Sequence, residues 1–165
     1  MRDSAGVAVT WKARIDQQRL SRRRDYQRRR ATFDVDEIKI EGAQQDVSCP
    51  GRRRLDTGRE GAPGRYEDSL EPVRIRIGAL RIGDVALGRA NAELYNMIGQ
   101  HVKSGSKFHN TIVVTLTNGM SNSGYVPTDD AFGRYTFQVL GSSLKPGCAE
   151  RAIINGIDDM IDKME

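Results

Sequence analysis

Between Val73 and Thr117 the hydrophobic period of the sequence changes twice, and that change limits the folds open to the chain. VRIRIGALRIGDVAL alternates apolar with polar residues, placing Val73, Ile75, Ile77, Leu80 and Ile82 on apolar faces, the two-residue period of half-buried strands. Gly78-Ala79 and Gly83-Asp84 supply turn residues, so the stretch reads as a hairpin. From Ala92 to Val102 the spacing widens to about four, with Leu94, Ile98 and Val102 on one face of a helix that Gly105 ends. Thr111 to Thr117, TIVVTLT, is a β-branched run of the kind found in a strand covered on both faces. Strand, helix and strand in alternation point to an α/β fold, a mixed sheet with flanking helices.

The rest of the chain is less regular. Phe33 to Ile40 alternates apolar with charged residues and reads as a half-buried strand closed by Gly42. Asp46 to Pro72 is rich in Gly, Pro, Arg and Asp without a period, and its length of more than twenty residues suits an ordered functional loop or disorder better than an ordinary connection. NGMSNSG, after Thr117, is dense turn chemistry. Thr128 is placed to cap a short helix starting at Asp129-Asp130. Phe137 to Leu140 reads as a short strand. A last helix begins near Pro146, with Ala152, Ile153, Ile157, Met160 and Ile161 on its apolar face.

At 165 residues the length fits one domain. Only 38% of residues are hydrophobic while 29% are charged, so part of the chain is expected outside the core. The sequence assigns that part to residues 1–48, a basic helical and extended amino-terminal segment whose helix, Val9 to Arg30, carries only Trp11, Ile15 and Leu20 as apolar positions. Residues 49–165 make the second division. A net charge of +4 suggests an anionic partner, although the arginines sit mainly in two blocks, QRLSRRRDYQRRR and GRRRLDTGRE. No apolar run is long enough for a transmembrane helix or a secretory signal, which gives the residues as written a cytosolic reading. Cys49 and Cys148 are too few and too distant in sequence to suggest a disulfide framework or a metal site, and each reads as a buried or half-buried thiol.

Two polar side chains stand where strands end: Glu93 after the first strand cluster and Tyr125 after the second. Strand carboxyl ends are where open α/β sheets gather functional groups. Glu93 equally suits the first turn of a helix, where an acid meets the positive end of the dipole, and Tyr125 equally suits a loop ring packed on the core.

The residues Ala92-Glu93, Asn118-Gly119 and Tyr125-Val126-Pro127-Thr128, with CPGRRRLDTGREGAPG before them and LKPGCAE after, occur in one order. From about Cys49 onward the chain thereby resembles the distal part of the catalytic domain of neutral, non-lysosomal ceramidases, including the NGMxNSGY pattern of fungal-type members. The resemblance implies a catalytic zinc ion held in part by Glu93 and Tyr125, ceramide as the lipid substrate, and hydrolysis of its amide to sphingosine and a fatty acid. A phenol is a rarer zinc ligand than a carboxylate, because the metal or a nearby cation must assist its ionisation. The family setting is often secreted or membrane-associated. A further Tyr in that family steadies the developing oxyanion. An ungapped count puts Phe137 there, and Phe donates no hydrogen bond, so Tyr135 is the candidate for that catalytic role.

The family's two His ligands and Ser nucleophile come from earlier segments, and nothing in Met1 to Ser48 reproduces their motifs. The chain therefore reads as a truncated form with half a metal site. His101 lies eight residues beyond Glu93 and His109 precedes a strand, positions that suit surface or capping roles. The alternative from another class is a non-catalytic basic module that binds an anionic partner through Arg22 to Arg30 and Arg52 to Arg54. Membrane headgroups fit that reading better than nucleic acid, since neither aromatic interleaving nor a nucleic-acid-binding motif accompanies the arginines. Within the loop, ion pairs from Arg to Asp56 and Glu60 are the structural expectation.

Overall fold

Strand β4, Val73–Ile82, organises the molecule because Val73, Ile75, Ile77 and Ala79 give it one apolar face and its register is fixed on both sides. The computed structural model describes residues 38–57 and 60–165, in a unit running from Ile38 to Glu165. The expected helix Val9 to Arg30 lies outside the described residues. So does the expected strand from Phe33 through Glu37.

Strand β1, Ile40–Cys49, pairs antiparallel with β4 along its whole length, from Ile40 opposite Ile82 to Cys49 opposite Val73. Gly42 therefore lies inside a strand and does not end one, and residues 40–48 join the sheet. After β4 the chain turns at Gly83, whose φ of 61° favours glycine, and returns as β5, Val85–Ala90, antiparallel to β4. This is the expected hairpin. Gly78-Ala79, in contrast, makes no turn and sits within β4.

Strand β7, Asn110–Val114, runs parallel to β5 at the edge and gives a mixed sheet in the order β1-β4-β5-β7. Ile112 is 50% exposed, so this strand is not covered on both faces as its composition suggests. Among the described residues two short ribbons complete the β-structure. Strands β2, Arg52–Arg54, and β3, Tyr66–Asp68, pair antiparallel within the stretch expected to lack regular structure. Strands β6, Glu93–Leu94, and β8, Tyr125–Val126, pair parallel.

The core lies between one face of the large sheet and two helices, α1, Asn96–Gly105, and α3, Ala149–Asp162. Val73, Ile75 and Ile77 of the sheet meet Ile98 and Val102 of α1 and Ile153, Ile157 and Ile161 of α3, all buried. Each such side chain contributes about 1.5–3 kcal/mol on removal from water. Close approach requires glycine at two points. A Cβ on Gly88 would lie 2.9 Å from Ile157 Cγ2, and one on Gly156 would lie 2.5 Å from Ile77 Cδ1.

A 3-10 helix, Asp129–Arg134, follows Thr128, whose hydroxyl donates to Asp130 Oδ1 at 2.6 Å and does not bond the helix backbone. The segment expected as a strand at Phe137 to Leu140 is the short helix α2, Phe137–Gly141. Its Val139 and Leu140 are buried side by side, which a helical turn permits as readily as a strand.

Cys49 and Cys148 form a disulfide, with Cα atoms 5.7 Å apart. This corrects the free-thiol expectation: β1 ends beside the residue that precedes α3, and sequence separation carries no information on that proximity. Linking positions 99 residues apart restricts the unfolded chain, an effect typically worth about 2–4 kcal/mol. The double variant Cys49→Ser/Cys148→Ser should lose about that much stability in denaturant unfolding, and thiol titration of the unfolded, unreduced protein should find neither cysteine free. Two reactive thiols would contradict the bridge.

Asp158 lies against the end of α1, where a Cβ on Gly105 would come 2.5 Å from its Oδ2. Burial, followed by the charges of Asp162 and Asp159, pushes its carboxyl up from 3.8 to about 6. The folded state thus holds this proton more tightly than the unfolded state. The contribution is fully present below the ordinary value of 3.8 and is lost as pH rises through about 6. Asp158→Asn should raise the melting temperature at neutral pH and leave it nearly unchanged near the ordinary carboxyl pKa, measured by thermal unfolding across pH.

Candidate functional site

The sheet continues past β5 as an extended run, Ala90 to Tyr95, against which the segment from Leu116 to Val126 is fastened through its backbone. Thr117 donates its N–H to Ala90 O at 3.0 Å and Ser121 to Asn91 O at 2.7 Å. Glu93 in turn donates to Gly124 O at 2.7 Å, and Tyr95 to Val126 O at 3.0 Å. Ala90 and Ala92 are fully buried, and their small side chains allow the two segments to run this close. Between the fastened points the chain takes left-handed conformations at Leu116, Asn118, Gly119 and Gly124, in keeping with the turn residues there.

This ladder brings Glu93 and Tyr125 together as register partners. Paired residues of adjacent strands lie about 4.8 Å apart and project from the same face. Glu93 is exposed and Tyr125 half-buried. Its carbonyl accepts hydrogen bonds from Ser123 Oγ at 2.9 Å and Ser142 Oγ at 3.0 Å, two buried hydroxyls. The Tyr125 ring meets Phe137 edge to face, with centroids 5.8 Å apart.

Tyr135 ends the 3-10 helix in a left-handed conformation, φ 50° and ψ 38°, and its carbonyl accepts a bond from the Gly61 N–H. Among the described residues its ring makes no stacking contact with Tyr125; Phe137 occupies that place. Tyr95, which the sequence reading passed over, shares a 2.9 Å hydrogen bond between its hydroxyl and Thr136 Oγ1. It ties the start of α1 to the segment carrying Tyr135 and Phe137. Its position two residues beyond Glu93 was the available signal, although nothing in the sequence indicated Thr136 as its partner.

His101 has Nδ1 3.9 Å from Glu150 Oε1 on α3, and His109 is exposed ahead of β7. Among the described residues no group of three or more His, Cys, Asp and Glu side chains gathers as a metal site. The pair itself offers one carboxylate and one phenol, both suited to zinc as oxygen donors, where a catalytic zinc takes about three protein ligands.

The arginine block is engaged within the fold. Arg52 stacks over Tyr66 at 3.8 Å and Phe132 at 4.9 Å and donates to Val139 O at 2.7 Å. Burial lowers its pKa from the usual guanidinium value. Arg53 bonds Glu67, and Arg54 bonds Asp56. Asp56 thus takes the expected role, whereas Glu60 accepts the Phe137 N–H at the start of α2. Arg22 to Arg30 lie outside the described residues.

Comparison of the chain with protein-family models, curated proteins and solved structures gives no match.

Removal of the Ser142 hydroxyl should loosen the platform under Tyr125, because the same oxygen also accepts the buried Leu144 N–H at 3.3 Å. Ser142→Ala is expected to cost about 1–3 kcal/mol in urea unfolding. An unchanged midpoint would show that the hydroxyl bonds hold nothing in place.

Proposed function

We propose that this chain carries part of the zinc site of a neutral ceramidase-like amidohydrolase, acting on the amide of N-acylsphingosine. The observation that carries the reading is the pairing of Glu93 with Tyr125 in one parallel ladder. The two residues singled out by the resemblance lie far apart in sequence, and a carboxylate and a phenol on one face supply two of the donors such a metal requires.

When bound, zinc polarises an amide carbonyl and acidifies an attacking hydroxyl. In this reading Glu93 and Tyr125 hold the ion, and the Ser123 and Ser142 hydroxyls hold Tyr125 in place. Tyr135 is assigned as the donor to the developing oxyanion, since Phe137 beside it has no hydrogen to give. The family's His ligands and Ser nucleophile have no counterpart among the described residues. Weak zinc binding is therefore expected of this chain, with amide cleavage only where another segment completes the site.

The Cys49–Cys148 bridge favours an oxidising compartment, which agrees with the secreted or membrane-associated setting common in that family. No helix among the described residues is long and apolar enough to cross a membrane.

Zinc titration of the chain, followed by tyrosine difference absorbance, should give a saturable phenolate signal that a chelator reverses. Glu93→Gln and Tyr125→Phe should each weaken binding at least about tenfold, the lower end of losses seen even for residues that only support metal ligands. No signal, or one indifferent to both substitutions, would rule the reading out. Binding of ceramide-containing anionic vesicles that falls steeply with salt and ignores chelators would instead support the basic-module alternative.

A further inference from the structure

A cleft of about 570 Å³ opens where β4 begins, bounded by Glu71, Pro72 and Arg74 on one side and by Asn91 and the turn Met120 to Asn122 on the other. Its lining includes a guanidinium and two side-chain amides, all hydrogen-bond donors. Ser121 is only 8% exposed, and its hydroxyl is buried without a partner among the described residues. Buried hydroxyls are rarely left so. Asn91 accepts the Arg76 N–H through Oδ1 at 2.8 Å, which fixes the amide's orientation and leaves its NH2 group to bond elsewhere. Asn122 is exposed at the wall.

Arg74 supplies the charge. Its neighbours on the same sheet face are engaged, Arg76 with Asp46 at 3.4 Å and Arg89 with Gln44 at 2.5 Å. Arg74 is exposed and has no ion pair among the described residues. A guanidinium fork and two side-chain amides thus line one cleft, with the Ser121 hydroxyl buried beneath it, against a single acceptor charge at Glu71.

We propose that this cleft binds a small molecule through an oxyanion, a carboxylate or a phosphoryl group, with the Arg74 fork making the paired bonds. Glu71 opposes a second negative charge, so a monoanionic carboxylate is the expected occupant. Pro72 and Met120 give the cleft an apolar margin for the body of such a ligand. None of these residues belongs to the proposed zinc pair, and either reading can stand without the other.

The test is a titration of the full chain with sodium acetate and, separately, inorganic phosphate, monitored by the NMR signals of the Asn91 and Asn122 side-chain amides and Arg74 Nε. Saturable shifts are expected, with acetate binding more tightly. Arg74→Gln should weaken binding about tenfold or more, the size of loss expected for a charged hydrogen bond. Arg76→Gln, on the same face but paired with Asp46, should change it little. Asn122→Ala, at the exposed wall, should weaken it several-fold. Tighter binding of phosphate would keep the oxyanion site and reassign its ligand to phosphoryl compounds. Shifts that do not saturate, that sodium chloride reproduces, or that Arg74→Gln and Arg76→Gln alter equally would overturn it.

Discussion

The backbone of Ala90 to Tyr95 is the constraint on which the placement of Glu93 beside Tyr125 depends. It extends the central hairpin beyond the sheet and fixes the positions of Thr117, Ser121, Gly124 and Val126 through main-chain hydrogen bonds. Each bond contributes about 1 kcal/mol net, so no single one is decisive. Together they set a register, and a register places Tyr125 opposite Glu93. A one-residue slip would direct the phenol to the opposite face.

That template is rigid because it belongs to a covered sheet. Ala90 and Ala92 are buried against the same core as Ile98, Ile153 and Ile157, and the disulfide joins the end of β1 to the start of α3. The residues with chemical potential lie just past this support, in turns. Precision comes from the sheet, and accessible side chains come from the loops attached to it. The buried hydroxyls of Ser123, in the turn before β8, and Ser142, at the end of α2, extend the support by gripping the Tyr125 carbonyl.

Where periodicity was strong and local, it was legible. The hairpin turning at Gly83, the face of α1 carrying Ile98 and Val102, and the apolar stripe of α3 follow from spacing alone, whereas Ala92 to Tyr95, expected as the first turn of α1, is extended and puts Leu94 in β6. The run of β1 past Gly42 was not legible because its surface positions, Gln44 and Asp46 among them, give little hydrophobic signal, and its partner β4 supplies the order. TIVVTLT has the composition of a central strand but lies at an edge, a matter of topology that composition does not encode. The Cys49–Cys148 bridge and the stacking of Arg52 between Tyr66 and Phe132 are long-range contacts that become visible only after folding. The sequence named Glu93 and Tyr125; that they face each other across a ladder is information from the fold.

The account is tested most directly by locating zinc in crystals of the chain soaked with the metal, using anomalous scattering at the zinc edge. It predicts a peak between the Glu93 carboxylate and the Tyr125 hydroxyl, about 2 Å from an oxygen of each. A peak elsewhere, or these two side chains directed to opposite faces of the ladder, would contradict it.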